Sequence, residues 1–157
     1  MQAYQTLLSG GCGHVMGNGE IWQFRRGWER ALASEGASTI GYLRSLLEIH
    51  AWTKLVPDPE KSFLTSEIRD GADRTAAALA ADGTFGIIYS PSPRNLSVNL
   101  SRMAGHRITA RWYDPSSGRF LEASGSPFPA SASRVFVQER KNASGHGDWV
   151  LLLQAAK

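Results

Sequence analysis

At residues 56–61 the sequence reads VPDPEK, and the pattern of the chain changes there. Two prolines in four positions remove backbone donors and push their predecessors out of helical geometry, so no helix or central strand runs through this point. Before it, apolar residues recur at helical spacing. Tyr4, Leu7 and Leu8 precede Gly10, a natural helix stop, and Ile40, Leu43, Leu47 and Ala51 lie opposite Arg44, Ser45 and Glu48. Between these two helices, EIWQF (20–24) reads as a short strand and GWERALAS (27–34) as one or two helical turns.

After the prolines the period drops to two. AAALAA (76–81), the Asp82-Gly83 turn and FGIIYS (85–90) form a hairpin signal. NLSVNL (95–100), RITARWYD (107–114), RFLEAS (119–124), RVFVQE (134–139) and DWVLLLQA (148–155) follow at short intervals, and DPSSG (114–118) reads as a type I turn. Ile108, Ala110 and Trp112 would share one face, with Thr109, Arg111 and Tyr113 on the other. Six to eight such strands predict an antiparallel β-sandwich over residues 57–157, preceded by an α/β segment over 1–56. The fold class is therefore α+β overall. The sandwich should fold by itself. The first segment should not, because a lone strand leaves its edges and one face uncovered. It reads as the last part of a larger α/β unit.

Composition narrows the function. At 42% hydrophobic and 20% charged, the chain is that of a globular domain, with no apolar run long enough to cross a bilayer and no signal-peptide pattern at its start. The net charge of +3 is spread among separated arginines and lysines, so no nucleic-acid partner is expected. The single cysteine, Cys12, excludes an internal disulfide and a cysteine-built zinc site.

The most unusual stretch is GGCGHVMGNGEIWQF (10–24), with five glycines. It lacks the Gly-Lys-Ser/Thr ending of a phosphate loop, and its third glycine falls one place late for a dinucleotide fingerprint. Cys12 and His14 alone make a poor metal cage, so neither metal nor cofactor is expected. A Cys12–His14 or Cys12–His146 dyad is a weak candidate, since cysteine is commonly a small buried hydrophobe. Two readings stay open: a tight turn, or a loop at the mouth of a barrel offering His14, Asn18 and Trp22 to a polar substrate.

YQTLLSGGCGHVMGNGEIWQF (4–24), WYDPSSG (112–118) and DWVLLL (148–153), in that order, resemble the end of the apiosidase-like glycoside hydrolases and the β domain that follows it. The resemblance runs from Tyr4 to Leu153. It implies residues 1–56 as the last part of a TIM-type (β/α)8 barrel, plant polysaccharide as the substrate of the parent enzyme, and a secreted or periplasmic location. The missing barrel region becomes an intramolecular or split partner. The family's β domain carries a collagen-binding label, for which these residues offer no physical support. His14, Gly17, Asn18 and Trp22 match the motif as substrate-binding positions, while Met16 stands where the family has tyrosine. Glycosidases work with two carboxylates, which the family places on earlier barrel strands. Glu29, Glu35 and Glu48 fall in helical context and Glu20 has no partner, so no catalytic residue is expected in this chain. The alternative is a non-catalytic carbohydrate- or matrix-binding β-sandwich, which exposed coplanar aromatics would favour.

Overall fold

The computed structural model describes residues 2–156. Helix α1 (Gln2–Leu8) ends as expected, with Gly10 at φ +97° turning the chain away. The long amphipathic helix is α4 (Glu35–Glu48), capped by Ser34, whose Oγ accepts from the amide of Ala37. Between them lie two single turns, α2 (Gly19–Trp22) and α3 (Trp28–Ala31).

The expected strand at EIWQF is absent; most of those residues sit in α2 instead. Asn18 is the reason. Its side chain accepts from the amides of Glu20 and Ile21, which fixes a helical turn, and Glu20 in the first turn suits that end of a helix.

The rest is β structure. A large antiparallel sheet runs β1 (Leu55–Pro57), β2 (Ala76–Ala80), β3 (Phe85–Ser90), β9 (Trp149–Ala155), β5 (Arg107–Tyr113), β6 (Phe120–Glu122), with β7 (Phe128–Pro129) also on β5. A two-stranded sheet, β4 (Asn95–Asn99) with β8 (Ser133–Val137), lies over one face and makes the sandwich. Pro57 is in β1, an edge strand, where its missing N–H costs no ladder bond.

Alternation along the strands separates two apolar layers. Ala77, Ile88, Ile108, Ala110, Trp112, Leu151 and Leu153 face the small sheet and meet Leu96, Val98 and Phe136. Ala76, Ala78, Ile87, Tyr89, Tyr113, Val150 and Leu152 face the other way. Their partners there are Ala3, Tyr4 and Leu8 of α1 and Leu43 and Leu46 of α4. The helical segment thus covers the apolar part of one face of the large sheet. The layer between the two sheets is built from β-half residues alone, while the layer on the other face of the large sheet is shared with the helical segment.

Polar contacts reinforce this seam. The Tyr113 hydroxyl donates to the carbonyl of Tyr42 (2.7 Å), and Gln5 Nε2 donates to the carbonyl of Arg74 (2.8 Å). The rings of Tyr4 and Tyr89 stack at 4.9 Å, and His50 stacks on Phe85 at 4.5 Å. One of the scattered basic residues is also structural. The Arg94 side chain is 8% exposed and donates to Asp73, Thr75 and Ser92, tying the segment before β2 to β4.

Candidate functional site

The glycine loop leaves α1 and runs beside α4. There the structure forms a cavity of about 360 Å3, lined on its apolar side by Leu7, Ile40, Leu47 and Trp52. Cys12 and His14 lie on its wall, with Arg44 and Glu48 nearby. Arg44 and Glu48 pair at 2.7 Å across one helical turn, which leaves that side of the cavity charge-balanced.

His14 is thus brought to a cleft, but the other three expected residues do not join it on that wall. Asn18 uses its side-chain oxygen to cap α2. Gly17 has open space around the position a Cβ would take, so no close approach in this chain demands a glycine there. Trp22 is 84% exposed and lies outside the cavity. Val15, Phe24, Leu32 and Ile49 are also exposed.

The two motifs of the β half have a different use. In WYDPSSG, Asp114 is buried and its carboxylate accepts from the amides of Ser116 and Ala143 and from the hydroxyls of Ser116 and Ser117. Burial alone would raise its pKa; these hydrogen bonds outweigh it and hold the group below the ordinary carboxylate value. In DWVLLL, Asp148 accepts from the Tyr89 hydroxyl (3.0 Å) and from Asn142 Nδ2 (2.7 Å). Both carboxylates therefore anchor loops at the end of the sheet nearest the start of α4. Sequence reasoning missed the pairing of Asp148 with Tyr89, because 59 residues separate them.

Among the described residues, no group of three or more His, Cys, Asp or Glu side chains is placed to hold a metal ion. Nor is any helix long and apolar enough to cross a membrane. Trp112, Trp149, Tyr89, Tyr113, Phe128 and Phe136 are all buried, so these aromatics of the β half offer no flat platform to a sugar.

Two family models match the chain. Residues 1–54 match "Apiosidase-like, catalytic domain". Residues 56–154 match "Putative collagen-binding domain of a collagenase". The boundary between them falls at β1. Among solved structures, a glycoside hydrolase superposes at TM-score 0.84 over 98% of this chain, with 24% identity. A glycoside hydrolase family 5 protein from Bacteroides vulgatus ATCC 8482 superposes at TM-score 0.83, again over 98% of the chain and at 24% identity. The chain covers 35% and 34% of those two proteins, about a third of each. No curated protein matches. By the two models and their order, the chain belongs to the family in which an apiosidase-like catalytic domain is followed by this β domain.

Proposed function

We propose that this chain is the closing part of a glycoside hydrolase. Residues 1–56 would be the last segment of its catalytic barrel, residues 57–157 the β domain behind it, and glycosidic bonds of plant polysaccharides the substrate. One observation carries this reading: the chain fits, along nearly its whole length, onto about a third of the length of two solved glycoside hydrolases, with its helical part matching a catalytic-domain model. The exposed side chains of Val15 and Phe24 would supply apolar surface on which the preceding barrel region could seat.

On this reading the pair of carboxylates that glycoside hydrolysis needs comes from that preceding region. Glu20, the one acid in the glycine loop segment, follows the Asn18 cap and lies in the first turn of α2. The chain's own contribution is the rim of the substrate cleft. His14 and Asn18 would present donors and acceptors to sugar hydroxyls, Gly17 would give a sugar room beside the backbone, and Trp22 would form an apolar wall. The burial of the β-half aromatics favours this over an independent carbohydrate-binding module.

The test is kinetic. In the protein carrying the barrel, His14→Ala lowers kcat/KM by roughly 10- to 100-fold, about 1.4–2.7 kcal/mol of transition-state binding, and leaves Tm unchanged. A lowered Tm with unchanged kinetics would make His14 a structural residue and remove it from the rim.

A further inference from the structure

The small sheet ends in a bare edge. On β4, the carbonyl of Ser97 accepts from the amide of Thr65, and the amide of Asn99 donates to the carbonyl of Phe63, both at 2.8 Å. That side of β4 is occupied, so Leu96 and Val98 turn their backbone groups toward β8, opposite Phe136 and Arg134. Backbone groups alternate along a strand. Ser133, Val135 and Val137 therefore direct their N–H and C=O groups away from β4. Among the described residues, no other strand pairs with β8. The core holds Phe136, so the side chains of Val135 and Val137 stand on the outer face, 53% and 47% exposed. Proteins usually blunt such an edge with proline, charge, a bulge or a very short strand. The large sheet does so: β1 and β6 have three residues each, with Pro57 in one and Glu122 in the other. By contrast, β8 runs five residues in unbroken register with β4, without proline, lysine or bulge.

We propose that β8 pairs with β8 of a second copy of this chain, antiparallel about a two-fold axis through Val135, joining two small sheets into one of four strands. The strand itself selects that occupant. In this register Val135 meets the second copy's Val135, and Ser133 meets the second copy's Val137. Every outward N–H and C=O of β8 then finds its complement, because each such pair exchanges both hydrogen bonds. On the outer face the exposed Val135 side chain packs on its own equivalent, covering apolar surface that otherwise faces water. On the inner face Arg134, the one charge in the strand, lies opposite the second copy's Phe136 and not opposite another arginine. Its guanidinium is already seated 3.6 Å from the centre of the Phe128 ring within its own copy. The small sheet and the helical segment lie on opposite faces of the large sheet, so the pairing takes none of the surface proposed for the barrel region.

Sedimentation velocity of the 157-residue chain, from about 10 to about 1000 µM, tests the pairing. A contact of this size is weak, so the chain dimerises with Kd on the order of 100 µM. Val135→Lys sets two ammonium groups opposite each other and weakens the dimer at least roughly 10-fold, with an unchanged far-UV circular dichroism spectrum. Val56→Lys, at the exposed valine of β1, leaves the dimer as it was. The register has its own readout. In a Cys12→Ser background, Val135→Cys cross-links two copies in oxidised glutathione, because the paired Cα atoms stand about 5.5 Å apart. Val137→Cys does not, since its equivalent lies about 14 Å away along the strands. That contrast decides the question even if Val135→Lys fails to fold. A chain that stays monomeric throughout, leaving the edge to an unlike strand, would overturn the proposal. So would a dimer that survives Val135→Lys, or cross-linking that is equal through Val135→Cys and Val137→Cys.

Discussion

Tyr113 joins the two segments with one side chain. It stands on the sheet face covered by the helices, and its hydroxyl donates to α4. Burial, together with the negative charge of Asp114 and the neighbouring Tyr42, pushes its pKa up to about 12. Burial raises Tyr4 and Tyr89 as well, both in the same layer. The sign of the linkage is direct. An unfolded tyrosine ionises near 10, before the folded one, so these groups support folding below pH 10 and lose that support as pH climbs toward 12. Chemical denaturation at pH 8, 10 and 11.5 should therefore show stability falling steeply over the last interval, and Tyr113→Phe should flatten part of that fall. His50, stacked on Phe85, acts at the other end. Burial and the charge of Arg111 lower its pKa, so stability also declines as pH falls through its ordinary value of 6.5.

The β elements were legible because alternation and turn chemistry agree. Asp82-Gly83 closes the β2–β3 hairpin, and Ile108, Ala110 and Trp112 share a face as their spacing requires. The glycine loop was less so. EIWQF has the residue types of a strand, but a strand is stabilised by its neighbours, and here the local Asn18 cap decides the conformation. That cap was readable: Asn18 followed by Glu20 is a helix-start signal. The seam was not readable, because Tyr4 and Asp148 stand at opposite ends of the sequence and only the sheet topology brings α1 to the end of β9. At this scale α4 gives the sharpest prediction. Leu46 is fully buried against the sheet, so Leu46→Ala should cost about 2–5 kcal/mol and lower one common transition seen by both far-UV circular dichroism and the fluorescence of the buried tryptophans. A β-domain signal that keeps its original midpoint would show that the sandwich holds its own core.

For the whole molecule, the shared core explains why the helical segment and the β domain travel together in relatives of the same fold. Apolar residues of α1 and α4 cover apolar residues on the second face of the large sheet. The helical segment would then offer its exposed Val15 and Phe24 to the proposed rest of the barrel. In that arrangement the β domain is a brace that fixes the last barrel helices, while the acid and nucleophile come from elsewhere in the barrel. The most direct measurement is hydrolysis of an aryl glycoside and of a pectic oligosaccharide by the 157-residue chain alone and by the same chain joined to a preceding barrel region. The account predicts no turnover by the chain alone and turnover once the barrel is joined. Turnover by the chain alone that disappears in Glu20→Gln would contradict it, because a catalytic centre would then lie within these residues.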